Sequence, residues 1–180
     1  PPGDIKVSKN GGEISSEGER KKTFETDKAV MTRTQKAETK FIKDGKTFGV
    51  EIRTSEVIDG RSKTDDNTFR KVTEIMWKSS VAACPDANGG ENGTGSANVK
   101  TETAVTGKAG TAKMSRAVTA ASKSVGNVNE EAEMAEYDLF VDATETISGY
   151  DEAARRGLLS DVAQKDGVVK LRYELTGNKL

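Results

Sequence analysis

Histidine is absent from all 180 residues, cysteine occurs once and proline three times. Without histidine the commonest general base and metal ligand is missing, and Ser-His and Cys-His nucleophile arrangements are excluded. The lone Cys84 has no partner for an internal disulfide, which suits a reducing compartment and equally a disulfide-free bacterial exoprotein. Aromatic residues make up only 5% of the chain and all hydrophobic residues 33%. A many-layered enzyme interior is therefore not expected, and Ala, Val and Thr must fill much of the inside. No run approaches the roughly 18 consecutive apolar residues of a membrane-spanning helix. The 28 basic and 29 acidic residues nearly cancel and form no long single-sign tract, so neither a nucleic-acid surface nor a polybasic membrane patch is expected. The sequence begins at Pro1 with neither an initiator Met nor a signal peptide, which reads as a processed or excised piece.

What the chain does have is alternation. From 98 to 147, apolar or Thr positions alternate with charged or polar ones and are broken by short Gly-bearing turns, the pattern of antiparallel strands with one buried face. Val99, Thr101, Thr103 and Val105 share one side, and Ala112, Met114, Val118 and Ala120 share another after a turn at 107–110. Arg116 falls in that same phase and needs a partner, a bulge or a sheet edge. Earlier, Asn10-Gly11-Gly12 predicts a tight hairpin, and Asp44-Gly45 a second one leading into Phe48, Val50 and Ile52. Asp59-Gly60, Asp65-Asp66-Asn67 and Gly126-Asn127 are read as further breaks, and 85–97 as a long exposed loop. Residues 15–27 read equally as strand or as a solvated connector.

Residues 69–83 fit two periods. Phe69, Thr73, Ile75, Trp77 and Val81 suit a strand, whereas Phe69, Val72, Met76, Ser79 and Ala83 suit a helix face beginning after Asn67. β-Branching and Trp77 favour the strand, and Trp77 is expected to be a core anchor. Ala132 and Met134 lie in one phase and Tyr137, Leu139, Val141, Ala143 and Ile147 in the other, which predicts a bulge near Ala135-Glu136. DEAARRGLLS at 151–160 predicts one short helix with acids at its N-terminus. Asp166-Gly167 turns into a last strand with Val169, Leu171, Tyr173 and Leu175 on one side and Lys170, Arg172 and Glu174 on the other. The expected fold is one mainly β domain over 1–180, an antiparallel β-sandwich or partly closed barrel with one short C-terminal helix. Residues 1–28 are set apart as a flexible or partner-pairing segment.

No constellation of catalytic residues accompanies this scaffold. Thr106-Gly107-Lys108-Ala109-Gly110-Thr111 has the composition of a phosphate loop but lies between two strands, where no helix N-terminus follows. Asp86, Asn88, Glu91 and Asn92 carry oxygen ligands in a Gly-rich stretch and are the calcium candidates. The string CPDANG there resembles the opening of the calcium loops in thrombospondin type 3 repeats. It departs from that motif where more aspartates would follow, and the resemblance covers six residues. Glu130, Glu131, Glu133, Glu136 and Asp138 form an acidic patch that reads as a charged exposed face or as a partner-binding surface.

These features point away from an enzyme and a bound cofactor, calcium excepted. They favour an extracellular or envelope-associated structural or binding module, self-assembling or partner-binding through a sheet edge or loop. A carrier of an apolar small molecule or lipid is the alternative, with its cavity between a curved sheet and a helix at 68–83.

Overall fold

A computed structural model describes residues 5–83, 91–129, 134–158 and 164–178. They form one nine-stranded sheet in which every strand lies beside its neighbour in sequence. The strands are β1 (Ile5–Asn10), β2 (Glu13–Glu25), β3 (Ala29–Asp44), β4 (Thr47–Ser62), β5 (Thr68–Ala83), β6 (Glu91–Gly107), β7 (Gly110–Asn129), β8 (Met134–Ser148) and β9 (Gly167–Asn178). A single helix, α1 (Tyr150–Arg155), interrupts the series between β8 and β9. The chain is thus mainly antiparallel β with one short helix. The sheet is single and open, with β1 and β9 at its two edges.

Turn chemistry sets the hairpins. Gly11 and Gly45 both sit at φ +58° and Gly110 at φ +98°, a region that costs little only without a Cβ. The β6–β7 turn is a hairpin, as its position between strands implies, and not a phosphate loop. Residues 13–25 belong to the sheet rather than to a connector, since β2 pairs with β3 from Glu13↔Ile42 to Glu25↔Val30. The 69–83 ambiguity resolves to strand, because β5 pairs continuously with both β4 and β6. The helix required by the carrier alternative is therefore not formed.

Three expected breaks are corrected. Asp59 and Gly60 lie inside β4, opposite Arg70 and Phe69, and a Cβ at position 60 would overlap the Phe69 ring. That glycine serves ring packing, not a turn. Residues 91–97 of the expected loop belong to β6, with the Ser124 and Ser122 hydroxyls standing where Cβ atoms of Gly93 and Gly95 would be. Gly126 and Asn127 lie inside β7, paired with Tyr137 and Glu136. That same register runs unbroken through Ala135 and Glu136, so the predicted bulge is absent. The strand needs no slip.

Carried across the sheet, the register divides side chains between two faces. One face holds Phe41, Val50, Ile52, Trp77, Val99, Val118, Val141, Leu171 and Tyr173 in successive strands. The other carries most of the ion pairs, among them Lys36–Glu19, Arg53–Glu51, Lys78–Glu51, Arg70–Asp59 and Arg172–Asp142.

Burial is confined to one corner of the apolar face. Ala112, Met114 and Ala153 are the fully buried hydrophobic residues among those described, with Val105, Tyr150 and Leu158 packed around them. Elsewhere the apolar face is open: Trp77 is 40% exposed and Phe48 50%. Trp77 is therefore no core anchor, because no second layer among the described residues covers its face.

Candidate functional site

Among the described residues, three stretches of unpaired backbone in the sheet are treated differently. At the first edge, β1 covers only residues 13–18 of β2. Among the described residues nothing pairs with the outer side of residues 19–25, and that stretch carries Arg20, Lys21 and Lys22. Cationic side chains of this kind discourage a second strand.

The second place is internal. β8 ends at Ser148 opposite Ser115, so residues 110–114 of β7 extend past it. The chain turns there at Gly149, φ +83°, close enough to the Lys113 carbonyl that a Cβ would overlap it. The helix α1 then fills the space, with Ala153 against Ala112 and Met114. Arg156 donates from Nη1 to the Thr111 carbonyl at 2.7 Å and from Nη2 to the Ala109 carbonyl at 2.6 Å. Asp166 locks the other end, accepting from the amides of Gly149 at 3.1 Å and Tyr150 at 2.9 Å. The helix thereby stands where a strand would, and Arg156 satisfies the Thr111 carbonyl of the overhang. Neither Arg156 nor Asp166 stands out in the linear sequence, since the partners of Arg156 lie on or beside β7 and those of Asp166 lie 16 and 17 residues earlier in the chain.

The third place is β9. Its apolar side chains Val169, Leu171, Tyr173 and Leu175 are 64%, 60%, 48% and 39% exposed. Its twelve residues include no proline and pair without a bulge along β8 from Gly167 to Asn178. Sequence reasoning found this strand and its phase, but edge status follows only from the strand order.

The charged face is curved into a cleft of about 1310 Å³, lined across β1 to β7. Its rows follow the register: Glu17, Glu38, Arg53 and Met76 in one, Glu19, Lys36, Ser55 and Glu74 in another. In the second row Lys36 meets Glu19 at 3.8 Å, whereas in the first Glu17 and Glu38 stand opposite each other. Farther along, Lys100 pairs with Glu102 at 2.8 Å. Hydrogen bonding and then charge raise the Lys100 pKa and hold Glu102 below the usual carboxylate range. The paired groups satisfy one another, and the cleft as a whole mixes both signs.

Arg116, which needed a partner, finds one in Glu145 at 2.9 Å on the same face. The hydrogen bond and then the charge of Glu145 raise its pKa. Of the calcium candidates, Asp86 and Asn88 lie outside the described residues, while Glu91 and Asn92 are consecutive β6 positions opposite Ala83 and Ala82. Among the described residues no three His, Cys, Asp or Glu side chains gather as a metal site.

Of the acidic patch, Glu130, Glu131 and Glu133 lie outside the described residues. Glu136 and Asp138 fall in β8, which is an interior strand because β9 lies outside it. No family model, curated protein or solved structure matches this chain.

Proposed function

We propose that this chain is a non-enzymatic structural or binding module that works by association through its sheet. The observation that carries this reading is surface. The chain exposes 12622 Å², whereas a compact monomer of 19.3 kDa exposes about 8,500 Å². A single-layer sheet with apolar side chains open on one face and a full-length uncovered edge has much to gain from a macromolecular neighbour, which hides area without chemistry.

The apolar-carrier alternative has less support, since 68–83 is strand and the cleft is bordered by paired charges. Sedimentation of the intact chain across a wide concentration range tests the proposal. The expected outcome is a mass that rises with concentration. A strict monomer at the highest concentration, extracted with a bound lipid, would replace association by carriage.

A further inference from the structure

We infer that the β9 edge is a self-association site, pairing with β9 of a second copy in an antiparallel ladder centred on Tyr173. This rests on the association reading and names its edge, partner and register.

The choice of edge follows from what guards the others. β1 is six residues long and is continued by the cationic stretch of β2, while the β7 overhang is filled by α1 and Arg156. Among the described residues β9 presents a full-length outer side that no element covers, and its cations Lys170 and Arg172 alternate with apolar residues beside the anionic Glu174 instead of standing three in a row. The choice of partner follows from strand direction. In nine successive antiparallel strands, β1 and β9 run the same way. Joining β9 to β1, within one chain or between copies kept in line, therefore requires a parallel ladder, which is slightly less stable per residue. Two β9 strands related by a twofold axis meet antiparallel and keep both apolar faces on the same side of a continuous sheet.

Side chains select the register. With Tyr173 on the axis, Arg172 stands opposite Glu174 of the second copy, and Leu171 stands opposite its Leu175. Symmetry doubles each contact. Both charged residues lie on the charged face, and both leucines lie with Tyr173 on the apolar face. Moving the axis one residue either way places Arg172 against itself or Glu174 against itself, and like charges directly opposed are unfavourable. Arg172 already meets Asp142 at 3.2 Å, while Glu174 makes no ion pair among the described residues. The dimer supplies Glu174 with one.

The test is charge reversal with rescue, read by sedimentation of the full chain. Glu174→Arg opposes two arginines across each half of the ladder and is expected to weaken self-association at least about tenfold. Adding Arg172→Glu restores opposite charges and should return affinity to near the starting value. Circular dichroism of each variant confirms that the sheet is intact. A second arm places Tyr173→Cys in a Cys84→Ser background, where mild oxidation should trap a covalent dimer.

Self-association that is unchanged by Glu174→Arg and gives no trapped dimer would overturn the β9 inference and leave the association reading standing. A chain that is monomeric at all concentrations overturns the β9 inference. It overturns the broader reading as well if no other macromolecule binds.

Discussion

At the scale of single residues, the places where turn chemistry misleads are those where a glycine answers to a cross-strand neighbour. Gly60 is the clearest case, lying beneath the Phe69 ring. Gly60→Ala should cost about 1–3 kcal/mol by overpacking, and much of that loss should disappear in the Gly60→Ala, Phe69→Ala background. Denaturant titration of the four proteins checks it, and additive losses would show that ring and glycine are independent. Glycines at Gly11, Gly45 and Gly110 were legible as turns because positive φ is a local demand, whereas Gly60, Gly93 and Gly95 serve partners on the neighbouring strand, Phe69, Ser124 and Ser122. Asp65 gives a residue-scale pH prediction. The Ser62 hydroxyl, then the Asn67 amide, holds its carboxyl below 3.8. A folded-state pKa below the unfolded one means stability that is present above the unfolded value and lost as pH falls through the folded one. The melting-temperature gap between wild type and Asp65→Asn should therefore be open at neutral pH and narrow as pH falls through the folded-state pKa. A gap that stays constant on acidification would reject that role.

At the scale of elements, strand phase was readable and strand company was not. The alternation at 169–175 and 48–53 places side chains on the faces observed, because a period of two depends only on the local backbone. Whether a face is covered depends on a second layer that alternation does not encode. Trp77 consequently looks like a core residue in sequence and is 40% exposed in the fold. The short helix was legible from its composition, but its task beside β7 was not, since that task exists only because β8 stops at Ser148. Arg156→Ala should expose the Ala109 and Thr111 carbonyls and loosen α1. Hydrogen exchange should then quicken in α1 and in residues 110–114 of β7 while β4 and β5 keep their rates. Uniform acceleration through the sheet would mean that the helix supports the whole fold instead of one overhang.

At the scale of the whole molecule, the strand order has a mechanical meaning. Each strand touches only its neighbours in sequence, so the sheet is close to one-dimensional and its stability is a sum of adjacent seams. The first and last strands stand at opposite edges, eight seams apart, at about 4.8 Å per seam. A pull applied through β1 and β9 is therefore directed across the ladder. It opens hydrogen bonds one after another, like a zip, and does not shear a whole strand at once. Each seam that opens releases a hairpin whose extended length, at about 3.3 Å per residue, exceeds the spacing it spanned several-fold. The sheet can in this way lengthen in successive small steps under modest load and reclose from whichever hairpins remain, behaving as a folded spring between whatever its two edges are fastened to.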